Sequence, residues 1–288
     1  MNRTGKLHFG YYVVCLVDVL GQKERLVGWR ELPTDASLPE PFINAIKKSV
    51  GTVVQIREMF EDFFTAVGDR ETPIYFAHHE ELWQRLNECR LSIQQFADTC
   101  VFYAPVAIPS GGVSLRPLYQ MLAACSAVML VSLAAGTPLR GAITVGAGTE
   151  LGDQDLYGPG LAEAHYLENE VAEYPRIVVS PHVVEFLRSI CERPEEDLYH
   201  QGMRLIAKFC FSVLCDDRDG QVILDFLGQA AREAWHRHAR LRTAIDEAYA
   251  FACRELQRFS DDDNGKLAER YRRLREYMES RTVEGERP

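Results

Sequence analysis

At 288 residues, 47% hydrophobic and 26% charged, the chain has the composition of a folded protein of one or two domains, which excludes a disordered or fibrous one. Its 32 Lys and Arg against 42 Asp and Glu leave a formal net charge of −10, which speaks against gripping a nucleic-acid polymer along a basic face. A small phosphorylated ligand stays open, because bound metal ions can invert a local field.

The basic N-terminus (Met1 to Lys6) is not followed by an apolar signal-peptide segment. The eight cysteines are scattered, without a C-x-x-C and without histidines at ligand spacing. They read as small buried hydrophobes in a reducing compartment, so a cytoplasmic location is expected and no zinc site.

Along the chain, Tyr11 to Val17 is a β-branched and aromatic run suited to one buried strand, leading into Asp18-Val19-Leu20-Gly21. Residues 39 to 67 carry apolar positions at helical spacing, and a polar helical stretch follows from Glu80 to Asn87. Leu91 to Ala104 reads as a hairpin with Ala97-Asp98 at its turn. Met121 to Ala135 has no charge, but as a helix it spans roughly 22 Å against a hydrocarbon core near 30 Å. Being rich in Ala and Ser, it predicts a helix buried in a core and no membrane span. Gly136-Thr137-Pro138 ends it, and Leu139 to Gly146 is the next strand.

A Gly-rich crossing from Gly152 to Gly160 precedes a helix over Leu161 to Ala172, a short strand at Ile177 to Val179 and a helix start at Ser180-Pro181. Two strand-like runs, Phe209 to Leu214 and Val222 to Phe226, flank an Asp-rich turn. After Gly228 the pattern is helical and charge-laced, broken once at Ser260 to Gly265. This order predicts an α+β fold of the split βαβ kind over residues 1–228. Residues 229–288 are expected to form a helix pair on that body or on a partner subunit.

Two aspartates follow hydrophobic strands, Asp18 and Asp98. Singly, each reads as a turn or cap residue. In a split βαβ sheet, however, the end of the first strand and the hairpin turn are neighbours. Two carboxylates there make a hard-oxygen site for Mg²⁺ or Mn²⁺ completed by substrate phosphates. Leu20 and Gly21 would offer backbone amides to a polyphosphate.

From about residue 9 to 228 the order of motifs resembles the class III nucleotidyl cyclase catalytic domain. Val17-Asp18-Val19-Leu20-Gly21 and Phe96-Ala97-Asp98-Thr99 are similar to its two metal motifs. Leu139 to Gly146 is similar to its central strand, and Asp155-Leu156-Tyr157-Gly158 with Leu161 to Ala164 to its interface loop and helix. The helix positions that carry Asn and Arg in the purine cyclases are Ala162 and Tyr166 here, and a Lys or Glu position is Gln94. With Tyr174-Pro175-Arg176, the chain looks most like the bacterial stand-alone pyrimidine cyclases of the Pycsar anti-phage type.

The resemblance implies a ferredoxin-like catalytic fold acting as a homodimer. It implies two Mg²⁺ or Mn²⁺ ions on Asp18, Asp98 and the Val19 carbonyl, and conversion of UTP or CTP to cyclic UMP or cyclic CMP. The product would activate a separate effector. Gln94 and Asp155 would pair across subunits at the base. Arg140 has two readings, a phosphate or transition-state ligand and a salt bridge at a strand start. A catalytically inactive module that binds a nucleotide or a partner is the alternative, supported by Ala162 and Tyr166.

Overall fold

The apolar run near the N-terminus becomes a strand buried on both faces, and the molecule is assembled around it. The structure is a computed structural model that describes residues 8–21, 38–68, 80–86, 90–108, 111–152, 155–194, 197–235 and 239–281. Strand β1 (His8–Val19) pairs antiparallel with β3 (Thr99–Pro105) on one side and β4 (Leu139–Leu151) on the other. Strand β2 (Ser92–Phe96) flanks β3. Beyond β4 lie β6 (Ile177–Val179), β8 (Val222–Leu224) and β7 (Leu214–Asp216), while β5 (Asp155–Tyr157) adds to the far end of β4. The sheet order is β2-β3-β1-β4-β6-β8-β7, antiparallel except between β4 and β6.

Helices α1 (Glu40–Gly68) and α2 (Glu80–Leu86) connect β1 to β2, and α3 (Arg116–Ala134) connects β3 to β4. Two β-α-β crossovers are thus interleaved, with β3 separating β1 from β2 and β1 separating β3 from β4. The architecture is α+β, as the element order predicts.

Period-two alternation sorts β1 onto two cores. Val13, Cys15 and Val17 join the main core with Phe60 and Phe64 of α1 and most of α3. Tyr12, Val14 and Leu16 join Val101 and Tyr103 in a smaller cluster on the opposite face. That cluster is closed by Leu156 of β5 and Ala164 of α4 (Pro159–Tyr166). With both faces covered, the strand must be apolar throughout.

Helix α3 is long and apolar enough by length and composition to cross a membrane, yet most of it is buried inside this fold. It packs against α1, against α6 (Leu198–Ser212) and against α8 (Ala239–Asp261). The seven described cysteines are free, with Cys15 and Cys125 facing each other in the core at 3.3 Å between sulfurs.

One predicted strand is corrected. Phe209 to Leu214 is not a strand: helix α6 runs through Ser212, and β7 begins only at Leu214. Met203, Ile206, Ala207 and Cys210 are its buried positions. That three-and-four spacing marks a helix face, and it outweighs the local aromatic and β-branched character.

Helix α5 (Pro181–Glu192) starts as expected, with Ser180 as N-cap accepting from the Val183 N–H and Pro181 in the first turn. The C-terminal pair, α8 with α9 (Gly265–Ser280), packs on the body, after a short α7 (Gln229–Trp235). Phe251 and Ala252 of α8 and Tyr271 and Leu274 of α9 lie in the same core as the sheet.

Candidate functional site

Asp18 sits one residue from the end of β1, directly across from Thr99 on β3 and Arg140 on β4. Residues directly opposite in an antiparallel pair project from the same face, so the three side chains share it. Asp98 occupies the two-residue turn between β2 and β3, where Ala97 holds a left-handed φ of 53°. The Val19 N–H donates to the Asp98 carbonyl at 3.4 Å, fastening that turn to the end of β1.

The Thr99 hydroxyl donates to Asp18 Oδ1 at 3.0 Å. Burial pushes the Asp18 carboxyl up from 3.8 to about 6, and the charges of Asp98 and Glu168 push the same way. Thr99 and Arg140 pull it down without restoring it. The two predicted metal aspartates therefore lie close enough to repel.

Arg140 does form a salt bridge. Its Nε donates to Glu168 Oε1 at 2.7 Å and its Nη2 lies 2.5 Å from the same oxygen. Glu168 is buried in a π-helical turn (Leu167–Val171) that continues α4. The sequence reading missed Glu168, and nothing local marks it, since a Glu late in a polar helix ordinarily faces water. Such π turns are frequent at functional sites.

The Leu20 N–H donates to the Pro138 carbonyl at 3.0 Å, so this amide is already engaged and is not a free donor for a phosphate. Gly21 follows in an exposed turn at φ 83°, a conformation that favours glycine. Gln22, His78, His79, His236 and His238 lie outside the described residues.

Gln94 lies within one chain near the strand that begins at Asp155. Gln94 Oε1 accepts from the Leu156 N–H at 3.2 Å, beside the exposed Asp155. Ala162 and Tyr166 are both exposed on α4.

That helix is seated by glycine and by a polar network. A Cβ on Gly146 would stand 2.7 Å from the Gly160 Cα, so α4 touches the β4 backbone only because both positions lack side chains. Next to that contact, Glu163 accepts from the Thr144 hydroxyl at 2.6 Å and meets His182 Nδ1 at 2.8 Å. The Thr144 and Ser180 hydroxyls are 2.9 Å apart. These bonds join α4, β4 and the start of α5, and sequence reasoning had not connected them.

Among the described residues no group of three or more His, Cys, Asp and Glu side chains is arranged to hold a metal ion. The pair Asp18 and Asp98 nevertheless fits a hard divalent cation. Both donors are carboxylates, the Val19 backbone lies between them, and the raised Asp18 carboxyl marks negative charge that a cation would offset. In comparisons with known proteins, no family model and no curated protein matches the chain.

Proposed function

We propose that the protein is a metal-dependent pyrimidine nucleotide cyclase of the class III kind, built on a ferredoxin-like split βαβ sheet. The observation that carries this reading is the placement of Asp98, in the β2–β3 turn, beside Asp18 at the end of the central strand β1, with the Asp18 carboxyl held at about 6. The substrate would be UTP or CTP. Its ribose 3′-oxygen would attack the α-phosphorus, lose its proton and displace pyrophosphate, closing the 3′,5′-cyclic ester.

Asp18, Asp98 and the Val19 carbonyl would hold two Mg²⁺ or Mn²⁺ ions. Bound there, such ions supply neutralisation of the triphosphate and a lowered pKa for the attacking hydroxyl. The Thr99 hydroxyl orients Asp18. Glu168 fixes Arg140 through its Nε and Nη2, leaving the other edge of the guanidinium for a phosphate. Gly21 would contribute a backbone amide, and Gln94 with Asp155 would contact the base. As a homodimer the protein would signal phage infection, its cyclic product switching on an effector.

Incubation with UTP, CTP, ATP and GTP in the presence of Mn²⁺, followed by chromatography for cyclic products, tests the reading. Cyclic UMP or cyclic CMP is expected. The absence of any cyclic product overturns the enzymatic claim and favours the inactive nucleotide-binding module that Ala162 and Tyr166 speak for.

A further inference from the structure

The π turn that carries Glu168 is held from outside its own helix. The carbonyl of its last residue, Val171, accepts from the Glu173 N–H at 2.8 Å and from Arg176 Nη2 at 2.7 Å. A helix end leaves such carbonyls without intrahelical partners and favours a cation beside them. The Arg176 carbonyl in turn accepts from the Gly141 N–H at 3.0 Å, one residue past Arg140. Arg176 therefore bridges the end of the π turn to the strand that presents Arg140, the partner of Glu168.

Arg176 is itself fixed by the turn between β7 and β8, donating to Asp217 and to Asp219. The C-terminal helix α9 completes the arrangement through Arg273. Its guanidinium donates to Asp219 Oδ2 at 2.9 Å, the oxygen that Arg176 also uses, and to Glu173 Oε2 at 2.5 Å. Both guanidinium carbons lie 4.7 Å from the centre of the buried Tyr174 ring, whose hydroxyl donates to Asp217 at 2.8 Å. Ion pairs of this kind depend on good geometry, and losing one partner leaves the other charge uncompensated.

We propose that Arg273 is a positioning residue of the candidate site, acting through Glu173, Asp219 and Arg176 on the π turn and through it on the Glu168–Arg140 pair. The last helix, outside the catalytic unit expected from sequence, thereby becomes a condition for presenting Arg140. That Arg140 meets a phosphate rests on the cyclase reading; the link from Arg273 to Arg140 rests on the hydrogen bonds alone.

The solvent-exchange rate of the Arg140 Nε–H, which donates to the buried Glu168, reads this link. Proton–nitrogen NMR spectra of the arginine Nε–H groups in the full chain measure it, with the Arg140 signal identified by its loss in Arg140→Lys. Wild type should show a protected signal. Arg273→Gln should speed its exchange by about tenfold or more, and Arg273→Lys should restore part of the protection. Asp219→Asn, which leaves the Arg273–Glu173 pair in place, should fall between Arg273→Gln and wild type. The control is Arg281→Gln, which breaks a pair with Asp225 at the end of the same helix. It should lower Tm but leave Arg140 exchange within about twofold of wild type.

An unprotected Arg140 signal in wild type, an Arg273→Gln signal as protected as wild type, or equal acceleration in Arg273→Gln and Arg281→Gln each overturns the proposal. The two readings fail separately. An Arg273-dependent Arg140 signal without any cyclic product leaves the link standing and removes the cyclase; cyclic product with an Arg140 signal indifferent to Arg273 does the reverse.

Discussion

Thr99 donates its hydroxyl hydrogen to Asp18 Oδ1 at 3.0 Å, joining two residues 81 positions apart that face each other across β1 and β3. This bond favours the ionised Asp18, yet burial and the neighbouring carboxylates prevail, and the group ends at about 6. The site therefore keeps a charge at neutral pH that its own surroundings oppose.

Asp18→Asn tests that opposition. A carboxyl raised from 3.8 to about 6 favours the folded state fully below pH 4, and this advantage is lost as pH rises through about 6. The variant should therefore gain Tm over wild type at pH 7.5, by about 4 °C, and show little difference at pH 4. Added Mn²⁺ should raise the wild-type Tm at pH 7.5 and leave the variant unmoved. Parallel melting curves at both pH values would contradict the assignment.

Ala97 carries a left-handed φ of 53° in the turn that presents Asp98. A Cβ in that region costs about 1 kcal/mol, so Ala97→Gly should stabilise the protein by about 0.5–1 kcal/mol, less the extra freedom glycine adds to the unfolded chain. The urea midpoint reports it, and a destabilised variant would mean that the turn has another shape.

Gly146→Ala should have the opposite sign. The added methyl would stand 2.7 Å from the Gly160 backbone, and no side chain is there to swing aside. A loss of about 2–3 kcal/mol is expected, with faster amide exchange in α4 relative to α3. Unchanged stability would show that α4 is not seated on β4 by this contact.

Arg176 is buried, donating to Asp219 at 2.7 Å, to Asp217 and to the Val171 carbonyl at 2.7 Å. Burial raises Asp219, but hydrogen bonds from Arg176 and Arg273 outweigh it and hold the carboxyl well below its ordinary range. A lowered carboxyl stabilises above about pH 4, and that contribution is lost as pH falls. Arg176→Gln should cost about 3 kcal/mol at pH 7, with a gap to wild type that narrows toward pH 3 in urea unfolding. A gap constant with pH would remove Asp219 from the account.

Much of the fold was legible because it depends on neighbours along the chain. The run before Asp18, the hairpin with its Ala97-Asp98 turn, the Ser180 cap and the break before α9 are local patterns of period, capping and turn chemistry. The two aspartates were legible for the same reason, each lying where a strand pattern stops. The α6 face was present as a spacing, but a short aromatic run masked it.

What only the tertiary structure decided is which distant groups become partners. Glu168 meets Arg140 across 28 positions, Gly160 meets Gly146, and Arg273 meets Glu173 across 100. Hydropathy period records how much of a side chain is buried, not against what. The cost of a charge depends on the groups around it, and at Asp18 those groups come from the hairpin turn, β3, β4 and the π turn at once.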